Sequence, residues 1–398
     1  MAQAEKNLAQ DRLRVLRLQE LMAEAGIDLV VCRLPENVVY IAETWPHHGI
    51  SVAVLPRRGK PTLFIPEVEA GWGNQAWADV VPFGWALLKD PDLYGSYRQL
   101  LSQVREQAGI RRGVVGVERE LEIVGTTYRH AEPIVPAGPW AGLLQEVFSG
   151  AELVDATDLL QQAKLIKTPY DLERLRVANE LAEMGTSAFL QHLRPGMREV
   201  EVSALIEGTI RAQGAGYKGA RLVWAEAEVA SGPENTARAN LLIPSTGRVI
   251  EEGDLVMVEM ATLMDGYYSD LTYMAVAGTP SQRQREVHNA VLAAQQAAAQ
   301  EMYAGNTYEA PDRAARAVLA KAGLGDYFVH VTGHGLGFRF HESTPFLMPG
   351  AQGTLATGMV SSVEPGVYIP GFGGIRIEDN VAVGEDGPLF LSTPRQPW

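Results

Sequence analysis

Two apolar runs flank Asp265-Gly266 within residues 253–274, and each has the β-branched and aromatic character of a strand. An Asp-Gly pair between such runs predicts a two-residue type I′ hairpin. In that register Glu259 lies opposite Thr272, and Asp270 lies two positions nearer to the turn than Thr272. Glu259 and Asp270 therefore share one face as diagonal neighbours, with Cβ atoms roughly 7 Å apart.

These two acids permit two interpretations. Acidic side chains are mostly exposed, so a solvated face on a surface hairpin is the simpler one. Both faces of the hairpin are rich in apolar residues, however, which favours a central, buried position. Buried carboxylates that converge on one face repel each other unless a cation lies between them, and a metal ion is the usual cation.

The first 160 residues or so alternate predicted strands with predicted helices, a pattern typical of an α/β domain. Gly26 ends the first helix, Pro35 interrupts the chain, and Val38 resumes the strand. The predicted helices cover residues 11–26 and 100–107, and the predicted strands cover residues 27–31, 38–41, 51–55, 62–65 and 113–117.

A second domain begins within residues 161–168, where a threonine cap, a proline and Asp171 mark a helix start. This helix runs to about His192. A long helix, a glycine-bracketed helix and a β-rich stretch then recur, with brackets at 196–214 and 305–323. The duplication predicts an α+β domain with a pseudo-twofold symmetric antiparallel sheet. We assign residues 1–161 to the N-terminal domain and 162–398 to the C-terminal domain.

The bulk composition restricts the class of protein. The 398 residues carry a net charge of −14, which argues against binding to nucleic acid or to an anionic membrane. The single cysteine, Cys32, excludes an internal disulfide and fits a reducing compartment. No apolar run approaches the ~20 residues of a membrane-spanning helix, and the polar N-terminus lacks a signal-peptide core. We therefore expect a cytoplasmic protein.

Three histidines, His330, His334 and His341, lie within twelve residues. Glycines flank His334, so the backbone can approach closely and leave the imidazole open to a ligand. A core histidine bonded to a carbonyl is the alternative. Downstream, residues 361–379 predict a second hairpin. If its turn centres near Gly371, Glu364 lies opposite Glu378.

Together these patterns collect five ligand-type side chains. Four carboxylates and one imidazole suit one or two divalent ions of the Mn, Fe, Co or Zn type. Two such ions would neutralise the carboxylates, activate a water and polarise a carbonyl, which is the chemistry of amide or ester hydrolysis. The candidate ligands are Glu259, Asp270, His334, Glu364 and Glu378.

The motif order resembles that of the pita-bread-fold peptidases, which include Xaa-Pro dipeptidase, aminopeptidase P and methionine aminopeptidase, with creatinase as a relative. The motifs are Ser-Asp-Leu-Thr, Gly-His-Gly-Leu-Gly, His-Glu, Val-Glu-Pro-Gly and Arg-Ile-Glu-Asp. The N-terminal domain is similar to that of creatinase and prolidase. The resemblance implies that Asp270 and Glu378 bridge two ions, that His334 and Glu364 bind one of them, and that His341 contacts substrate or shuttles a proton. It also implies a homodimer.

Two positions depart from the family pattern. The first ligand is usually aspartate, and Glu259 extends the carboxylate by about 1.5 Å. The family also usually has a histidine where Asn240 stands, and asparagine cannot titrate. These departures suggest a specificity shifted towards dipeptides or towards the carboxyl end. The candidate substrate-binding residues are Asn240 together with three possible carboxylate clamps, Arg238, Arg339 and Arg376.

We therefore predict a metal-dependent exopeptidase for short peptides of the Xaa-Pro type, with two ions per chain. Metal-activated water attacks the carbonyl, Glu364 takes or relays the proton, and His341 stabilises the oxyanion. His330 completes the candidate catalytic set. The alternatives are a creatinase-like non-peptide amidohydrolase and a catalytically dead binding protein on the same fold.

Overall fold

A computed structural model of the chain describes residues 2–73, 77–84, 92–119, 138–239 and 245–398, with side chains from residue 12 onward. Contacts divide the chain into an N-terminal unit, Met1–Lys164, and a C-terminal unit, Leu165–Trp398. This division falls within the 161–168 stretch where the sequence indicates a new domain. The ranges 1–161 and 162–398 themselves stay a prediction.

The described part of the N-terminal unit alternates helices and strands. In chain order these are α1 (Ala2–Glu24), β1 (Leu29–Cys32), α2 (Pro35–Ala42), β2 (Val52–Pro56), β3 (Thr62–Pro66), β4 (Asp79–Phe83), α3 (Leu93–Gln107), β5 (Val114–Val117), α4 (Gly138–Val147), β6 (Glu152–Asp155) and α5 (Thr157–Leu165). The strands form one mixed sheet in the order β4-β3-β2-β1-β5-β6. The predicted α/β class of this domain is confirmed.

One element of the N-terminal unit was predicted wrongly. We expected residues 38–41 to be extended, and they lie in α2, whose first residue is Pro35. Proline presets the backbone angle of a first helical turn, so Pro35 starts the helix rather than merely breaking a strand. The buried carboxylate of Glu118 also accepts hydrogen bonds from the Arg33 and Leu34 amides just before the helix. That partner is remote in sequence, so periodicity gives no indication of it.

The C-terminal unit contains two helix pairs and three antiparallel sheets in its described residues. In chain order the elements are α6 (Pro169–His192), α7 (Glu199–Gly214), β7 (Val223–Ser231), α8 (Gly232–Arg238), β8 (Leu255–Met264), β9 (Tyr267–Val276), α9 (Gln282–Gln300), α10 (Glu309–Lys321), β10 (Gly333–Gly335), β11 (Glu342–Leu347), β12 (Val360–Val363), β13 (Gly366–Ile369), β14 (Gly373–Arg376), β15 (Asp379–Val383) and β16 (Pro388–Phe390). The sheets have the orders β7-β8-β9, β11-β10-β12-β15-β16 and β13-β14.

The helix pairs follow the predicted repeat. Helix α6 packs on α7, and α9 packs on α10. Thr168 caps α6 and Asp171 completes a capping box, as the sequence indicates. Each pair precedes antiparallel strands, which is the predicted pseudo-twofold arrangement. Buried residues of the second pair, among them Val291 and Leu319, share a core with Val363 and Val381 of the five-stranded sheet.

None of the described helices has both the length and the apolar character needed to cross a lipid bilayer.

Candidate metal centre and active site

The β8–β9 hairpin presents the first two carboxylates in the predicted register. Asp265 and Gly266 have φ angles of +52° and +98°, as a type I′ turn requires. Glu259 pairs with Thr272, and Asp270 pairs with Ala261. Strand β8 is the central strand of its sheet, and Asp270 is 1% exposed. The interpretation as a buried hairpin is confirmed, and the surface hairpin is wrong.

The segment around Gly371 brings the second pair of acids together. Gly366 pairs with Arg376 in one ladder, and Val363 pairs with Asp379 in the next. Both ladders keep the register in which Glu364 faces Glu378, as predicted from a turn centred near Gly371. The Glu378 amide also donates to the Thr272 carbonyl, at 3.4 Å, and thereby joins this segment to strand β9.

His334 lies on β10 with its ring directed at the carboxylates. Its Nδ1 is 3.0 Å from the Gly335 carbonyl oxygen, which can only accept, so Nδ1 carries the proton. Nε2 lies 3.3 Å from Asp270 Oδ2 and 3.4 Å from Glu364 Oε1. A backbone bond at one nitrogen with the other left as a lone pair is the usual state of a metal-binding histidine.

The glycines beside His334 serve a packing purpose as well. A Cβ atom on Gly333 would lie 2.0 Å from the Ser362 carbonyl oxygen, and one on Gly335 would lie 2.2 Å from the Thr344 carbonyl oxygen. Both neighbouring strands therefore approach β10 too closely for any side chain there. The sequence predicts an open imidazole from these glycines, whereas the structure gives strand packing as their physical cause.

Five predicted ligands and His341 converge in three overlapping groups. In each group, one ligand atom per residue lies within 4.8 Å of the others. Asp270, His334 and Glu378 each belong to two groups. The groups are Asp270, His334 and His341; His334, Glu364 and Glu378; and Glu259, Asp270 and Glu378.

Electrostatics make this cluster suited to cations. Burial, followed by the charges of Asp270, Glu364 and Glu259, raises the pKa of Glu378 well above its usual range. Burial also raises the pKa of Glu364. Glu378 Oε1 is buried and has no hydrogen-bond partner among the residues that the structure describes. A buried carboxylate oxygen left without a donor, beside other carboxylates and an imidazole lone pair, fits a divalent metal.

Arg376 is buried beside the cluster and uses each of its guanidinium nitrogens there. Nη2 donates to Glu259 Oε2 at 2.6 Å, and Nε donates to Thr272 Oγ1 at 2.9 Å. Nη1 donates to the Ala239 carbonyl at 2.9 Å and to Tyr368 Oη at 3.0 Å. Arg376 was predicted to bind a carboxylate, and in this structure the carboxylate that it binds is that of Glu259. The use of Arg376 on a substrate stays a prediction.

Thr272 was not predicted as part of the site. Its Oγ1 lies 2.7 Å from both Glu259 Oε2 and Glu378 Oε2. Its place opposite Glu259 follows from the predicted hairpin register, so the sequence contains this indication. Asn380 is a second missed residue: its side chain accepts from the Asp270 amide and donates to the Asp270 carbonyl. No local pattern indicates that contact, because 110 residues separate the two positions.

Of the other predicted site residues, His341 lies beside the cluster and His330 lies behind Tyr368 and Arg376. The His341 ring is 4.2 Å from the His334 ring. His330 contacts Tyr368 Oη through Nε2 at 3.0 Å, so Tyr368 and Arg376 separate it from Glu259. Two arginines and one asparagine complete the set: Arg339 is half-buried before β11, Arg238 is exposed at the end of α8, and Asn240 lies outside the described residues.

With this geometry in place, comparisons identify the family. The model for metallopeptidase family M24 matches residues 173–385, and the creatinase/prolidase N-terminal domain matches residues 14–166. The chain belongs to metallopeptidase family M24. An Xaa-Pro dipeptidase from Pyrococcus furiosus is 30% identical over 95% of this chain and 97% of its own length.

Solved structures agree with that assignment. An Xaa-Pro dipeptidase from Bacillus anthracis has a TM-score of 0.76 and 27% identity, covering 97% of this chain and 99% of its own. An X-Pro aminopeptidase from Thermotoga maritima has a TM-score of 0.77 and 25% identity, covering 94% and 97%. The predicted pita-bread fold and the predicted metallopeptidase class of this M24 protein are thereby confirmed.

Proposed function

We propose that this M24 peptidase hydrolyses Xaa-Pro dipeptides at a centre of two divalent ions per chain, of the Mn, Zn, Co or Fe type. The observation that carries the proposal is the buried convergence of five ligand-type side chains, in which Glu378 Oε1 has no hydrogen-bond partner among the described residues. The substrate class comes from the names of the similar peptidases from Pyrococcus furiosus and Bacillus anthracis.

The proposed metal centre is formed by five side chains. Glu259, Asp270, His334, Glu364 and Glu378 hold the ions. The family resemblance implies that Asp270 and Glu378 would be shared between the two ions, and both occur together in the group that also contains Glu259. When bound, divalent ions activate water and polarise the carbonyl of the scissile bond. The chain must supply the proton acceptor and the groups that orient the peptide.

Glu364 is the proton acceptor in this proposal. Its Oε1 accepts from Ser362 Oγ at 2.9 Å and faces His334 Nε2, so the carboxylate is held at the cluster. From this position the carboxylate can take a proton from water and pass it to the leaving nitrogen. His341, beside His334, donates a hydrogen bond to the developing oxyanion. His330 supports the site from behind Tyr368 and Arg376.

The substrate carboxylate requires a cation at the edge of the cluster. Arg339 and Arg238 are our candidates, and Asn240 stays a candidate substrate-binding residue on the family resemblance alone. Arg376 is the weaker candidate for this contact, because its nitrogens already donate to Glu259, Thr272, Tyr368 and a carbonyl. For cleavage after the first residue, a carboxylate clamp favours dipeptides over longer chains, since only in a dipeptide is the free carboxyl then one residue from the scissile bond.

The experiment combines metal content with a substrate series. Metal-stripped protein is reloaded with Mn, Co or Zn, the ions per chain are measured, and Xaa-Pro dipeptides, Xaa-Pro tripeptides and N-terminally blocked peptides are assayed. We expect two ions per chain and preferential cleavage of dipeptides, both lost in Asp270→Asn. No turnover of any Xaa-Pro peptide by loaded protein would overturn the proposal. Preferential cleavage of longer peptides would overturn the dipeptide specificity alone.

Two further assignments belong to this proposal. The enzyme acts as a cytoplasmic homodimer, as the family resemblance and the single cysteine indicate. Light scattering on the purified chain tests the dimer, and a mass of one chain would contradict it.

A further inference from the structure

A buried ion pair lies next to the candidate active site and contains none of its ligands. Lys167, between α5 and α6, has a side chain that is 0% exposed, and Glu342, the first residue of β11, is 5% exposed. Lys167 Nζ donates to Glu342 Oε2 at 2.5 Å. Both residues belong to the C-terminal unit. Glu342 lies in the His-Glu motif, and the proposed chemistry gives it no task.

The second oxygen of Glu342 holds a backbone amide. Glu342 Oε1 accepts from the Phe338 amide at 2.9 Å. That amide belongs to residues 336–341, which we call the histidine loop because the loop ends at His341. A single carboxylate therefore ties the histidine loop to the Lys167 ammonium group.

The histidine loop has a glycine at the position where it packs against this ion pair. Gly337 has a φ of +152°, and a Cβ atom there would lie 2.5 Å from Lys167 Cε and 3.2 Å from Glu342 Oε1. The Gly337 carbonyl accepts from the Tyr268 amide at 2.8 Å, two residues before Asp270. The histidine loop is thus fixed on one side to the ion pair and on the other to the ligand strand β9.

The histidine loop connects two residues of the candidate site. It begins two residues after His334 and ends at His341, whose ring lies 4.2 Å from that of His334. Phe340 packs edge-on against His341, with ring centroids 4.7 Å apart. The conformation of the loop therefore sets where the His341 imidazole stands relative to Asp270 and His334.

We propose that Lys167 and Glu342 are positioning residues that fix the histidine loop and so hold His341 at the metal centre. The proposal rests on the proposed function, in which His341 donates to the oxyanion. Stability alone does not explain a buried ion pair, because two well-packed apolar residues of similar size often stabilise a protein equally well. An apolar pair cannot, however, replace the acceptor that Glu342 provides for the Phe338 amide.

That difference separates a positioning role from a structural one. Lys167→Met leaves the Glu342 charge buried without its partner, so both stability and activity fall. The double variant Lys167→Met/Glu342→Met replaces the pair with two apolar side chains. We expect it to regain most of the melting temperature of the wild type while kcat stays roughly 10- to 100-fold low, with KM changed little. Metal content stays at the wild-type value, because neither residue is a ligand.

The control is the same substitution at an exposed pair. Lys218 Nζ bonds Glu180 Oε1 at 2.7 Å with side chains 46% and 27% exposed. Lys218→Met is expected to leave the melting temperature, kcat and KM at wild-type values. If the Lys167/Glu342 double variant regains both melting temperature and kcat, the pair is structural only and the proposal is overturned.

Hydrogen exchange provides a readout that needs no activity. In metal-free protein, deuterium uptake is followed by mass spectrometry in a peptide that covers residues 336–342. Both Lys167 variants should exchange faster there than the wild type, and Lys218→Met should not. Unchanged uptake in the double variant would overturn the positioning role. If the wild type cleaves no Xaa-Pro peptide, the proposed function fails, and this exchange experiment still decides whether the pair fixes the loop.

Discussion

Arg376 binds Glu259 through Nη2 at 2.6 Å, and this arginine is a buried cation in direct contact with a candidate metal ligand. Its Nε is also 4.0 Å from Glu364 Oε2. The side chain of Glu259 ends at this guanidinium. One end of the carboxylate cluster is thus partly neutralised by the protein itself, whereas the other end adjoins the imidazoles of His334 and His341.

The first prediction tests the geometry of this guanidinium. Arg376→Lys keeps a positive charge but loses the planar fork that reaches Glu259, Thr272, Tyr368 and the Ala239 carbonyl together. We expect kcat/KM on an Xaa-Pro dipeptide to fall by roughly 10²-fold or more, with a loss of unfolding free energy of about 3 kcal/mol. Steady-state kinetics and urea unfolding check both values. Wild-type kcat/KM in Arg376→Lys would show that charge alone suffices.

The second prediction concerns the shared hydroxyl of Thr272. This hydroxyl accepts from Arg376 Nε and lies 2.7 Å from one oxygen each of Glu259 and Glu378, so it stands between the two carboxylates and can donate its proton to either. Thr272→Val preserves the shape and removes that hydroxyl. Metal affinity should fall roughly 10- to 100-fold, as expected when a group that orients metal ligands is lost. Isothermal titration with Mn on stripped protein measures this change.

A matched control for Thr272 lies on the adjacent strand. Thr262 is also fully buried, and its Oγ1 has no hydrogen-bond partner in the described part of the chain. Thr262→Val therefore makes the same chemical change without removing a link between ligands. We expect metal affinity to stay at the wild-type value. Equal losses in the two variants would assign the effect to general packing of the hairpin.

The sequence predicts the site best where contacts are local. The Asp265-Gly266 turn fixes the pairing of Glu259 with Thr272, and a turn centred near Gly371 fixes that of Glu364 with Glu378. Register follows from such turns because side chains alternate with a period of two.

Contacts between distant segments were not predictable in the same way. Asn380 reaches the backbone of Asp270, and Lys167 reaches Glu342 across 175 positions, with no periodicity that relates either pair. Helix α2 was missed in part for the same reason, because Glu118, from far along the chain, accepts from the Arg33 and Leu34 amides just before the helix. The hydrogen bonds that Arg376 donates, and the contact of His330 with Tyr368, also depend on tertiary structure. Neither the spacing of residues nor the composition predicts them.

The third prediction concerns acid stability through His330. Burial, followed by the charge of Arg376, lowers the pKa of His330 to about 4, whereas an unfolded histidine titrates near about 6.5. Its contribution to stability is therefore complete above about pH 6.5 and is lost as the pH falls towards about 4, by at most about 3 kcal/mol. In His330→Gln, metal-free protein should lose less unfolding free energy than the wild type between pH 7 and pH 4.5. Parallel losses in urea unfolding would contradict this assignment.

The last prediction concerns Glu378→Gln, whose effect on the melting temperature should change sign when metal binds. Metal-free protein buries Glu378 near Asp270, Glu364 and Glu259, which raises its pKa and opposes folding at neutral pH. Glu378→Gln removes that charge, so the metal-free variant should melt higher than the metal-free wild type at pH 7.5. With saturating Mn the order should invert, because the wild type gains about 2.7 kcal/mol per bound ion at 100 times the dissociation constant and the variant has lost a ligand. If Glu378→Gln melts higher than the wild type both with and without Mn, Glu378 holds no ion. If the variant melts lower in both states, the neighbouring carboxylates do not destabilise the Glu378 carboxylate in the metal-free protein.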